Sequence, residues 1–170
     1  MTMHLFRTLG LAALALYFSS TAARATSNYE YGADEYVTVS SGISPNGKYA
    51  ITTHGEGELG DQNFHVYLFD AAAGKKIGPL EEIKDSLDTG AGAFGARWSQ
   101  DSSTVTIVYR VDRHAPLKEI TYHIEGRHAK AASPEPLDVK AGGTLEKYWQ
   151  TQCADSKPSP KTFGAPKKKN

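Results

Sequence analysis

Cysteine is nearly absent from this chain: Cys153 stands alone in 170 residues. A single cysteine cannot close an internal disulfide, so the fold must hold by burial and hydrogen bonding. Net charge is missing as well, with 19 basic against 19 acidic residues. No basic stripe marks the body of the chain, which removes the electrostatic footprint of a nucleic-acid binder. Apolar runs are short. The longest uninterrupted one, Leu9–Phe18, falls well below the ~20 residues that a membrane-spanning helix needs. There is no G-x-S-x-G elbow, no H-E-x-x-H pair and no EF-hand loop.

What is present begins with an export signal. Met1–Arg7 ends in a positive charge, Leu9–Phe18 is apolar, and Ala23-Arg24-Ala25 puts small residues where a signal peptidase reads them. This order predicts a cleavable signal peptide over residues 1–25, leaving Thr26–Asn170 as a secreted or periplasmic chain with no stable membrane span. Without Arg7 and Arg24 the body is mildly acidic, and the basic excess sits in Lys167-Lys168-Lys169. Cys153 is expected to be a buried small residue.

Short β-branched and aromatic segments then alternate with turn residues. Strands are predicted over Tyr36–Ser40, Lys48–Thr53, Phe64–Asp70, Lys75–Leu80, Phe94–Trp98, Thr104–Val111, Lys118–Ile124 and Pro136–Val139. Leu80, Ile83 and Leu87 have helical spacing, which predicts a helical turn or two over Glu81–Leu87. Leu145–Cys153 is a second helical candidate, within a short helical segment over 141–154. The Lys-, Pro- and Ser-rich segment 155–170 reads as a disordered basic tail. The count, about eight strands in a region spanning 26–140, predicts an all-β domain.

The chain also resembles itself. Ser44-Pro45-Asn46-Gly47 and the strand after it correspond to Ser99-Gln100-Asp101-Ser102 and its strand, and Phe64–Asp70 corresponds to Leu117–His123, at an offset of about 53–55 residues. The run from Ser44-Pro45-Asn46-Gly47-Lys48 to Asp70 and Gly74 resembles a blade of the WD40-like or TolB-like β-propeller family. The resemblance covers roughly residues 36–139, as two blade-like repeats (about 36–88 and 94–139). A closed propeller typically needs four to eight blades. Two blades imply two four-stranded antiparallel sheets packed together, with an up-and-down barrel as the alternative. The family hosts binding modules and enzymes alike, so the resemblance implies no activity.

Three features carry candidate chemistry. Gly90-Ala91-Gly92-Ala93-Phe94-Gly95 matches G-x-G-x-x-G, but a strand follows it where a dinucleotide site needs a helix. It reads as a linker, and no cofactor is expected. The loop after the second strand gathers His54, Glu56, Glu58, Asp61 and His65. Carboxylates suit calcium and imidazoles suit zinc, so these five are the candidate metal ligands, although their spacing matches no known cage. Asp112 and His114 hold the equivalent loop of the second repeat, and would complete a ligand rim if both loops lie at one end of the sheets. The aromatic set Tyr49, Tyr67, Phe69, Trp98, Tyr109 and Tyr122 is expected mainly in the core.

The leading functional expectation is an exported, non-catalytic binding module with a protein or glycan partner in the cell envelope. The alternatives are a metal-dependent or hydrolytic enzyme using the His54–Asp61 loop, and a structural envelope protein that self-associates as a homo-oligomer.

Overall fold

The computed structural model describes residues 28–84, 86–112, 114–154 and 161–164. The expected signal peptide and most of the basic tail lie outside these residues. Alternation along the chain builds two antiparallel meanders. The first contains β1 (Tyr36–Ile43), β2 (Tyr49–Glu56), β3 (Gln62–Asp70) and β4 (Lys75–Pro79). The second contains β5 (Phe94–Trp98), β6 (Thr104–Arg110), β7 (Leu117–Glu125) and β8 (His128–Ala131). They meet where β1 runs parallel to β5, with Ser40 opposite Gly95. The resulting strand order is β4-β3-β2-β1-β5-β6-β7-β8.

Both meanders turn their apolar faces into one core. Val39, Ile51, Val66 and Leu68 come from the first, and Phe94, Ile107, Ile120 and Tyr122 from the second. Burying a Val, Leu, Ile or Phe side chain contributes roughly 1.5–3 kcal/mol, so this shared cluster dominates the holding energy. Polar contacts close the far side. Tyr49 Oη donates to the Gly126 carbonyl at 2.9 Å, and Arg127 lies 3.4 Å from Asp70. The fold is therefore all-β, one continuous and nearly closed barrel-like sheet, which corresponds to the barrel alternative rather than to two separate packed sheets.

The repeated turns are built alike. In the first, Ser44 Oγ donates to Asn46 Oδ1 at 2.8 Å, and Oδ1 also accepts the Lys48 N–H at 2.9 Å. In the second, Ser99 Oγ donates to Asp101 Oδ1 at 2.6 Å, which accepts the Ser103 N–H at 3.1 Å. Gly47 and Ser102 take the same left-handed position, with φ of 70° and 62°. Because β1 and β5 are parallel neighbours, the turns also touch: Asn46 N–H donates to Ser102 Oγ at 3.1 Å.

Several elements differ from the sequence expectation. No helix forms over the described part of 81–87. Leu80 and Ile83 are buried, but Leu87 is 65% exposed, so their spacing marks one turn dipping into the core. The connection after β7 contains a strand, β8, across a two-residue turn with Gly126 at φ 60°. β9 is only Leu137–Asp138, paired with β7. The C-terminal helical segment is α1 (Thr144–Tyr148), continued by a π-helical turn over Trp149–Ala154. Within the segment expected to be disordered, Thr162–Phe163 forms β10 against β1.

The helical segment covers the seam between the meanders. Cys153 is buried with Trp149 against Val108 and Leu117. A Cβ at Gly95 would fall 2.3 Å from Cys153 Sγ, so only glycine fits there. We predict that Gly95→Ala lowers stability by about 1–3 kcal/mol through overpacking, and that Cys153→Ala in the same chain restores most of it. Urea midpoints of the two single variants and the double variant measure this coupling.

The second turn also makes an acid-dependent contribution. The Ser99 hydroxyl, then the Ser103 N–H and hydroxyl, hold the Asp101 carboxyl at about 2, below its ordinary 3.8. A depressed carboxyl stabilises above its unfolded value and loses that effect as pH falls through the folded one. Asp101→Asn should therefore flatten the fall in melting temperature between about pH 4 and 2. Asn46→Asp is the matched gain, adding such a dependence to the first turn.

Candidate functional site

The strand directions put the β2–β3 loop, the β6–β7 loop, the lead-in to β1 and the link from β4 to β5 at one end of the sheet. The two repeat loops therefore lie at one end, the condition for a shared rim. The concave surface there is a cleft of about 490 Å³ between the lead-in and the first loop only. Glu30–Ala33 forms one wall and His54–Glu58 the other.

Buried polar contacts fix the lead-in wall. Tyr31 is buried, and its hydroxyl donates to the Thr89 carbonyl at 2.5 Å, with the Thr53 hydroxyl 2.8 Å away. Burial is the main reason its phenol stays protonated far above the ordinary range. Glu35 is 1% exposed; one carboxylate oxygen accepts from Tyr29 Oη at 2.8 Å and the other from the Gly32 N–H at 2.9 Å. Burial, then the bond to Glu35 and its charge, push Tyr29 up to about 12. The Thr89 hydroxyl donates to the Leu59 carbonyl at 2.8 Å, which ties the β4–β5 link to the loop. At Gly60 a Cβ would sit 2.1 Å from the Tyr29 carbonyl oxygen, so the loop is pressed against the lead-in.

His54 belongs to both the sheet and the cleft. It is buried, stacks on Tyr36 at 4.7 Å between centroids, and approaches the Glu35 carbonyl through Nδ1 at 2.7 Å. A carbonyl can only accept, so Nδ1 is the donor in this contact. Glu56 and Glu58 are exposed on the same wall, and Glu56 accepts from Asn63 Nδ2 at 3.0 Å.

The five candidate ligands are thus divided. His54, Glu56 and Glu58 line the cleft; Asp61 and His65 do not. His65 pairs with His54 across the strands and packs edge-on to Tyr67 at 5.8 Å. Among the described residues, no three His, Cys, Asp or Glu side chains converge on a point where a metal ion would sit. Asp112 and His114 are outside the cleft lining; Asp112 Oδ1 accepts the N–H groups of His114 and Ala115 at 2.7 and 2.9 Å, closing its own loop. Sequence reasoning missed Glu30, Tyr31, Glu35 and Thr89. The only available signal was the pair Tyr29 and Tyr31 in an otherwise polar lead-in.

Elsewhere, Gly90–Gly95 carries a 3-10 turn at Ala91–Ala93 and enters β5 directly, as a linker does. Burial pushes the Cys153 thiol up to about 11, so at neutral pH it is a protonated packing group rather than a nucleophile. Tyr67, Phe69, Tyr109 and Tyr122 are buried, whereas Tyr49 and Trp98 are half-buried.

We predict that Tyr31→Phe costs about 1–3 kcal/mol, because it leaves the buried Thr89 carbonyl without its donor. Tyr29→Phe, at a more exposed position, should cost less. Chemical denaturation of both variants tests the order. No protein-family model, curated protein or solved structure matches this chain.

Proposed function

We propose that this chain is an exported, non-catalytic binding module that holds a cationic group of an envelope partner in the cleft between residues 30–33 and 54–58. One observation carries the reading. Glu30, Glu56 and Glu58 line the cleft beside Tyr31 and His54, and among the described residues no lysine or arginine lines it. Carboxylates around a concave surface attract and orient a cation, and a ring beside them adds apolar contact. A rigid wall supports binding as well, since preorganised groups lose little freedom when a ligand arrives. The duplicated turns favour blade-like repeats as the scaffold.

Tetralysine serves as the probe, followed by amide shifts of Gly55, Gly57 and Glu58. Binding should weaken when salt is raised from about 0.05 to 0.5 M, as expected for exposed charges. Glu56→Gln with Glu58→Gln should weaken it by roughly tenfold or more. Absence of shifts in the wild-type chain, or shifts unaffected by the double substitution, overturns the reading. Calcium and zinc titrations form separate arms. Saturation of the same residues by either ion, without any response to tetralysine, would replace the cationic-partner reading with the metal-dependent one.

A further inference from the structure

The first half of β1 has two neighbours. β2 pairs along one side, with Val37 opposite Thr53 and Thr38 opposite Thr52. On the other side β5 reaches β1 only at Ser40, which leaves the edge at Tyr36–Thr38 to β10 (Thr162–Phe163). Tyr36 stands opposite Phe163, Val37 opposite Thr162, and the Thr38 N–H donates to the Lys161 carbonyl at 2.9 Å. An unpaired strand edge is a template for another strand, and here four residues fill it.

Side chains give this edge a reading frame. Phe163 lies 4.6 Å from Phe69 between ring centroids, and Phe69 lies 5.2 Å from Tyr36. Phe163 thus enters a ring-lined depression on the outer face of the first meander. Phe69 is 1% exposed, whereas Phe163 is only half-buried. Gly164 follows at φ 80°, where a Cβ would fall 2.0 Å from the Asp34 carbonyl oxygen. The next position after the aromatic residue therefore has to be glycine. Lys161 lies 4.9 Å over the Phe163 ring and is itself exposed.

Main-chain pairing along an edge, one side-chain depression and one steric restriction are the parts of a strand-addition peptide site. We propose that the Tyr36–Thr38 edge and the Phe69 depression form a peptide-recognition groove, held in cis by residues 161–164. In trans it accepts an extended peptide carrying an aromatic residue followed by glycine. A tethered occupant competes at an effective concentration on the order of millimolar, so the resident segment masks the groove until it is released. This groove adjoins the acidic cleft through the Tyr36–His54 stack but shares no lining residue with it, and the proposal does not rest on the cleft's ligand.

The test uses the full chain and a synthetic peptide with the sequence of residues 159–166. In the wild type the resident segment reduces apparent affinity in proportion to the closed fraction. Phe163→Ala removes the anchor and touches no residue of the central core. It should bind the peptide at least about tenfold more tightly than the wild type does. The Thr38 amide should exchange faster in Phe163→Ala and regain protection with saturating peptide. A peptide with alanine in place of its phenylalanine should not bind. Gly164→Val, which keeps the phenylalanine but clashes with Asp34, should release the segment in the same way. Equal peptide affinity in the wild type and both variants overturns the proposal, as does unchanged Thr38 protection. Loss of cooperative unfolding in Phe163→Ala also overturns it, since the segment would then be part of the core.

Discussion

The two meanders become one molecule at a single parallel pairing, Ser40 opposite Gly95, and most of the architecture depends on how closely the chain approaches itself there. Cys153 Sγ occupies the space that a side chain at Gly95 would need. Trp98 Nε1 donates to the Gly42 carbonyl at 3.1 Å, beside the two touching turns. The parallel relation has a directional consequence. It makes the repeats run the same way, so equivalent turns share one end and equivalent loops the other. The candidate cleft exists because the lead-in and the β4–β5 link both cross that second end.

Legibility in the sequence followed how local the deciding force was. Phe64–Asp70 alternates strongly, and β3 forms there with Val66 and Leu68 inward. The Ser44 and Ser99 turns were readable because their hydrogen bonds stay within a few residues. β8 was not, since His128–Ala131 contains no β-branched or aromatic residue and is a strand only because β7 offers an edge. The spacing of Leu80 and Ile83 reflected burial, not helix. β10 lay hidden in a Lys- and Pro-rich composition, where Thr162-Phe163-Gly164 carries no periodicity.

The candidate site divides in the same way. The loop at His54–Asp61 was visible through its glycines and carboxylates. Its partners were not, because Tyr31 reaches Thr89 across 58 positions and His54 reaches Glu35 across 19. Such contacts are set by which strands become neighbours, and no spacing rule encodes them. Asp61 and His65 stand outside the cleft lining for a related reason: proximity in sequence does not decide which side chains line a cleft, even for His65, the strand partner of His54.

β1 has a further consequence, in time rather than in space. It precedes all its partners in the chain, pairing with β2, then β5, and finally β10, whose residues come more than a hundred positions later. Contacts of such sequence separation slow folding, because the connecting chain must be ordered before the pairing rewards it. The edge at Tyr36–Thr38 therefore stays open until residues 161–164 have been made. During that interval the chain offers other strands an unpaired edge, and residues 161–164 determine when the offer is withdrawn.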